Sequence, residues 1–234
     1  MPLITLDSPL YLASRNPGKL REFRDAAASR GIRLESVPGI EDIPDCLEDG
    51  ATFEENARKK ALHYSAYVSG PVFADDSGIS VDALAGAPGV FSARFAGAQA
   101  TDEENNRKLI EELRRVEEEL RRSHLIIEHF YPMEGNGNAR TATYQPLHRT
   151  AHYVCIIALA QTGQVLCVTE GRADGVILNE PRGRGGFGYD PYFFFPPSGK
   201  TFAELSPEEK FAVSHRGEAF RKLLDVLGSR PSGS

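Results

Sequence analysis

The sequence predicts an α/β protein, folded as one domain or as two lobes. Short apolar runs such as Leu10–Ala13, Arg33–Val37 and Val72–Ala74 have the length of buried strands. Between them, Leu20, Phe23 and Ala27, and then Ala57, Ala61 and Tyr64, recur at helical spacing on one face. The 234 residues, 41% hydrophobic and 26% charged, suffice for a substantial core.

Composition narrows the functions open to such a fold. A net charge of -6 argues against broad binding to nucleic-acid backbone, which needs a basic face. Cys46, Cys155 and Cys167 are odd in number and show no CxxC spacing, which points to reduced thiols and against a cysteine-built zinc site. No apolar run approaches the ~20 residues of a membrane span. The N-terminus lacks the basic-then-apolar order of a signal peptide. The expectation is a soluble cytoplasmic protein that binds neither membrane nor nucleic acid.

The first strand leads into Ser14-Arg15-Asn16-Pro17-Gly18-Lys19, with turn residues at 16–18 and a helix opening at Lys19. A strand, a polar loop and a helix N-terminus offer free N–H groups and a favourable dipole to an anion, and Lys19 adds charge. On spacing alone the same stretch reads rather as a plain βα turn with a solvated lysine. After Arg33–Val37, the loop Pro38–Gly50 carries Glu41, Asp42, Asp45, Glu48 and Asp49, most of them expected in solvent. Thr52 and Glu55 then form a capping box for a helix from Phe53 to about Val68, burying Phe53, Ala57, Ala61 and Tyr64. Asn56 and Lys60 share another face, and Lys60 is either a solvated lysine or a second phosphate ligand. Val72–Ala74 reads as a strand ending in the acidic pair Asp75-Asp76, with Ser77-Gly78 turning the chain. Neighbouring strand residues face opposite ways, so the two acids divide their work, one toward a cleft and one bracing the turn. Such a pair suits a hard cation, or simply caps the turn.

Gly86–Arg94, with two glycines and a proline, is a loop of fixed shape whose Arg94 is read as structural. Thr101 and Glu104 cap a helix carrying Leu109, Ile110, Leu113 and Val116 and running on into a charged extension. Ser123–Thr150 is irregular and reads as a surface excursion; its His124, His129 and His148 lack metal-ligand spacing. Tyr153–Ala160 and Val165–Thr169 read as a hairpin about Thr162-Gly163, and Gly171–Leu178 as further extended chain. In Gly185–Pro191 the glycines let backbone approach a ligand, while Phe187 and Tyr189 offer flat surfaces for a base. Tyr192–Phe195 reads as the final strand. Ser206-Pro207 starts a capped helix bearing Lys210, Ser214–Gly217 interrupts or restarts it, and the last helix buries Phe220, Leu223, Leu224 and Leu227. Ser229–Ser234 reads as a disordered tail.

Taken together, Ala13–Lys19, Thr52–Ala57 with Lys60, Ala74–Gly78 with Gly86–Arg94, Gly185–Pro191, Leu205–Lys210 and Ser214-His215-Arg216 resemble the inosine-triphosphate pyrophosphatases, the RdgB-like ITPase family. The resemblance covers Leu10 to Leu227 in family order. It departs at Glu117–Thr150, where the family has a short connection, and so bears on quaternary contacts more than on chemistry. The implied fold is one elongated, two-lobed, mixed-sheet α/β domain over residues 1–228 with a central substrate cleft. The implied activity is hydrolysis of a nucleoside triphosphate to monophosphate and pyrophosphate, with deaminated purines (ITP, dITP, XTP) preferred, Mg2+ required and a homodimer usual.

The resemblance also assigns residues. Glu48 and Asp76 correspond to metal acids, and Asp76 to the general base for the attacking water. Ser14, Arg15, Asn16, Pro17, Gly18, Lys19 and Lys60 fall at phosphate-binding positions and Ser77 at a substrate contact. Phe187, Gly188, Tyr189, Asp190, Lys210, His215 and Arg216 match the nucleoside pocket, with Phe187 stacking on the base. A 6-oxo purine presents an acceptor where adenine presents a donor, so a pocket lined by donors rejects adenine. Two rivals stand beside this reading. One is a triphosphatase of related fold preferring modified or pyrimidine nucleotides, and the other a nucleotide-binding scaffold docking through Ser123–Thr150.

Overall fold

Seven strands form one mixed sheet in the order β2-β1-β3-β6-β7-β8-β9 in a computed structural model that describes residues 8–123, 130–131, 145–146 and 149–228. β1 (Leu10–Leu12) pairs in parallel with β2 (Leu34–Ser36) and with β3 (Val72–Val81). At the other end, β8 (Phe193–Phe195) lies antiparallel to both β7 (Gln164–Ile177) and β9 (Lys200–Thr201). The α/β expectation holds.

Several elements differ from their sequence reading, each for a local reason. β3 is a single strand, and Ser77-Gly78 makes no turn within it. The apolar alternation resumes at the fully buried Ile79 and Val81, so packing on the sheet overrides a weak turn preference. α1 (Pro17–Ala28) starts two residues before Lys19, because the fixed φ of proline suits a first helical position. α2 (Phe53–Ser65) ends before Val68, with Phe53 only half-buried. β6 (Thr150–Gln161) and β7 run further than the predicted hairpin and meet at Thr162 and Gly163, both at positive φ (49° and 76°). That pair of angles matches the right-handed twist of hairpin strands. Tyr192–Phe195 does not supply the final strand, since β9 follows and pairs Thr201 with Phe194.

α3 (Asp102–Arg122) has the predicted capping box, and α4 (Pro207–Val213) is capped by Ser206. Ser214 then caps a separate helix, α5 (His215–Leu227), which buries the four predicted residues. Within the excursion, β4 (Phe130–Tyr131) pairs antiparallel with β5 (Gln145–Pro146). The three histidines and the 229–234 tail lie outside the described residues.

The chain divides into two compact units, each with its own core. The first comprises residues up to Ser77, Cys155–Arg172 and the chain from Phe211. Its core gathers Leu10, Leu12, Phe73, Cys155 and Ile157 of the sheet with Phe23, Phe220 and Leu223 of the helices. Phe23 sits edge-on to Phe73 at 5.2 Å and tilts against Phe220 at 4.8 Å, an arrangement aromatic rings favour. The second unit comprises Gly78–Val154 and Ala173–Lys210. There Tyr153, Phe193 and Phe202 lie 4.7–5.8 Å apart, in one cluster with Leu109 and Leu113 of α3 and Ile79 and Val81 of β3. No helix among the described residues is long and apolar enough to cross a membrane.

Candidate active site

In the first unit the alternation of β3 sends Asp75 and Asp76 to different surroundings. Asp75 is 1% exposed, and its Oδ2 accepts from Lys19 Nζ at 2.7 Å and from Ser77 Oγ at 3.4 Å. The buried Arg216 guanidinium lies 3.8 Å from the same oxygen and pairs with Glu22 at 2.9 Å. Lys60 Nζ donates to the Asp75 carbonyl at 3.1 Å and pairs with Glu48 at 2.8 Å. Burial alone would push the Asp75 carboxyl up, but Lys19, Arg216 and Lys60 together outweigh it and hold the group well below the usual carboxylate range.

Asp76 is half-buried and accepts from Asn56 Nδ2 at 3.1 Å. Burial raises its carboxyl, and the opposing pull of Lys60 and the Asn56 amide does not cancel it. Asn56, 1% exposed, also accepts from Gly50 N–H at 2.8 Å through Oδ1. One α2 side chain thus ties the loop carrying Glu48 to the strand carrying Asp76. A Cβ on Gly50 would stand 2.7 Å from Asn56 Oδ1 and from Glu55 Cβ, so only glycine fits there.

Arg15 fastens the same loop from its other end, donating to the carbonyls of Ile40 (2.9 Å) and Ile43 (2.6 Å) and pairing with Asp45. The amides of Gly18 and Lys19, predicted free for an anion, already donate to Asn16 Oδ1 at 2.8 and 3.2 Å because Asn16 caps α1. Asn16 N–H in turn donates to Ser14 Oγ at 3.2 Å.

Among the described residues no group of three or more His, Cys, Asp or Glu side chains forms a preassembled metal cage. The donors present, Glu48 and Asp76 carboxylates flanking Lys60, fit a smaller demand. Mg2+ is commonly held by one or two carboxylates, with water and substrate phosphates completing its shell.

In the second unit, Gly185–Pro191 and α4 build a separate cluster. Asp190, 2% exposed, accepts from Lys210 Nζ at 2.5 Å and from Phe187 N–H at 2.9 Å, both through Oδ2. The Lys210 ammonium lies 4.6 Å from the Phe187 ring centroid. Phe187 is 40% exposed, whereas Tyr189 is buried and its hydroxyl donates to the Ser92 carbonyl at 2.8 Å. Of the two rings expected to offer a flat face, Phe187 alone presents one. Arg216 and His215 belong to the first unit, where both are buried at the start of α5.

Sequence reasoning placed Asn56 on the face of Lys60 without giving it a task, and passed over Asn105 and Asn106. All three are buried asparagines inside helices, where asparagine is a poor helix former. That mismatch between propensity and position is the signal that marks them.

The Ham1 family profile matches residues 10–142 and 126–226. A dITP/XTP pyrophosphatase of Geobacillus kaustophilus is 44% identical over 92% of this chain and 91% of its own length. One of Geobacter sulfurreducens is 45% identical over 94% of this chain and 96% of its own. Among solved structures, a HAM1 protein from Coxiella burnetii superposes with a TM-score of 0.74 at 37% identity, covering 94% of this chain and 98% of the other. The chain belongs to the Ham1 family.

Proposed function

We propose that this chain is a nucleoside-triphosphate pyrophosphatase that converts ITP, dITP and XTP to the monophosphate and pyrophosphate, clearing them from the nucleotide pool. The observation that carries the reading is the first unit's cluster, in which three cations surround a buried carboxylate beside the half-buried Asp76. Relatives bearing the dITP/XTP pyrophosphatase name over nine-tenths of the chain support the choice of substrate.

In this reading Ser14 to Lys19 and Lys60 receive the phosphates, with Ser77 as a further contact. Lys19 and Lys60 are held by Asp75 and Glu48, so their ammonium groups are positioned before a polyanion arrives. Glu48 and Asp76 would hold Mg2+, which would supply positive charge to offset that of the triphosphate and its leaving group. Water attacks the α-phosphorus, the bond from that phosphorus to the β-bridging oxygen breaks, and Asp76 accepts the water's proton. Asn56 keeps Asp76 aimed for this task. In the second unit Phe187, with Gly188 to Asp190 and Lys210 behind it, takes the purine; in the first unit His215 and Arg216 are assigned as nucleoside contacts. A homodimer acting in the cytoplasm is part of the same proposal, and the three free cysteines are in keeping with a reducing compartment.

The test is a Mg2+-dependent assay on ITP, XTP, GTP, ATP and dUTP that resolves pyrophosphate from orthophosphate. Pyrophosphate from ITP and XTP, with GTP and ATP far behind, is the expected result. Orthophosphate, or a preference for dUTP, overturns the assigned reaction or specificity. Light scattering at twice the chain mass is expected for the dimer.

A further inference from the structure

We infer that Asp102 and Asn106 of α3 are positioning residues that fix the Phe187 ring by gripping both the N–H and the C=O of Gly188. The functional consequence rests on the reading of Phe187 as the base contact. Gly188 sits at φ 61°, a conformation that turns its N–H and C=O out of the 187–190 turn. The rest of that turn closes on itself: Asp190 N–H donates to the Phe187 carbonyl at 3.3 Å, and Phe187 N–H donates to Asp190 Oδ2. Gly188 makes neither of these bonds. Its N–H donates instead to Asp102 Oδ2 at 2.6 Å, and its carbonyl accepts from Asn106 Nδ2 at 2.9 Å.

Asp102 and Asn106 are four residues apart, hence neighbours on one face of α3. That spacing lets one helix hold both polar ends of a single residue. Asn106 is 8% exposed, and the donor role of its amide nitrogen leaves Oδ1 buried without a hydrogen-bond partner among the described residues. Keeping an unsatisfied acceptor there has a cost, which is understandable if the Nδ2 contact is what the position requires. The adjacent Asn105 works in the other direction, accepting from Ala96 N–H at 2.8 Å and donating to the Ala93 carbonyl at 3.2 Å. The start of α3 therefore anchors two segments of this unit, the one at Ala93–Ala96 and the one at Gly188. With Gly188 held on one side and Lys210 and Asp190 on the other, Phe187 keeps its ring in place while 40% exposed.

The test uses the absence of tryptophan from the chain. Phe187→Trp places a single reporter at the ring position, and Asn106→Ala and Asp102→Asn are made in that background and in the natural sequence. Released from its grip, the indole should shift to longer emission wavelength and be quenched more readily by acrylamide. In the natural background KM for ITP should rise about fivefold for Asn106→Ala, the scale of one neutral hydrogen bond, and by less for Asp102→Asn, which keeps an oxygen able to accept from Gly188 N–H, with kcat little changed. Thr101→Ala is the control: it removes the cap of the same helix without touching Gly188, so it should lower Tm while leaving emission and KM alone. Unchanged emission and quenching in a folded Asn106→Ala variant overturn the grip, whatever the activity. Changed emission with unchanged KM sustains the grip and overturns the reading of Phe187 as the base contact. Equal shifts in the Thr101→Ala control overturn the proposal in favour of general loosening of α3.

Discussion

Asp75 and Asp76 are chemically identical neighbours, and the pleat of β3 alone gives them different fates. Asp75 is enclosed by Lys19, Arg216 and Lys60, so its charge is needed to keep three cations in place. Asp75→Asn preserves the shape and removes the charge. Breaking a buried ion pair from one side leaves uncompensated charge behind, so this variant should lose about 3–5 kcal/mol of stability, read from urea unfolding. A loss near zero would show that water already solvates the cluster. Asp76 has less structural work, with one side-chain hydrogen bond from Asn56 and partial exposure. Asp76→Asn should therefore fold normally, keep its Tm within a few degrees and lose turnover of ITP. Turnover near that of the unmodified enzyme would remove Asp76 from the mechanism.

At the scale of elements, two short connections fix how strands and loops meet. The β6–β7 hairpin turns through Thr162 and Gly163 at positive φ. A β-branched residue is poorly suited to that region, whereas Asn-Gly is a favoured pair for it. Thr162→Asn should stabilise the protein by about 0.5–1 kcal/mol, visible as a higher midpoint in urea with an unchanged slope. A lower midpoint would mean that the Thr162 side chain makes a contribution the backbone angle does not reveal. The second connection is the seam between Gly50 and Asn56. Gly50→Ala would push against Asn56 Oδ1 and Glu55 Cβ and so shift the loop bearing Glu48. Misplacement of a catalytic group by about 1 Å can cost ~100-fold in rate, and a loss of at least tenfold with a raised Mg2+ requirement is expected. A fall in stability with unchanged Mg2+ dependence would confine Gly50 to a packing role.

For the whole molecule, what the sequence reveals and what it hides separate by the range of the interaction. Helix caps at Thr101, Ser206 and Ser214 are local hydrogen bonds, and each stands where its spacing predicts. The buried faces of α1, α2 and α5 follow from periodicity in the same way. Long-range pairing hides the rest: the continuity of β3 through Ser77-Gly78 depends on neighbouring strands, and the burial of Tyr189 on a carbonyl at Ser92, far away in the chain. The ion pair of Arg149, fully buried, with Glu117 at 2.5 Å is likewise invisible in a stretch that reads only as charge-rich helix and irregular chain. Cys155 offers a test of how tightly the first unit closes. It is fully buried among Leu10, Phe73 and Phe220, and burial drives its thiol far above the usual range, so almost no thiolate is present. Cys46 lies half-exposed on the loop that carries Glu48. In a Cys46→Ser, Cys167→Ser variant, an aromatic disulfide reagent should leave Cys155 unmodified in native buffer and label it only across the urea unfolding transition. Its labelling would then report opening of the core that supports Asp75, in which Cys155 is enclosed. If Cys155 in the folded variant instead reacts as fast as a lone Cys46 in the matching double variant, that core opens locally, and Asp75 with its three cations lies on a mobile base.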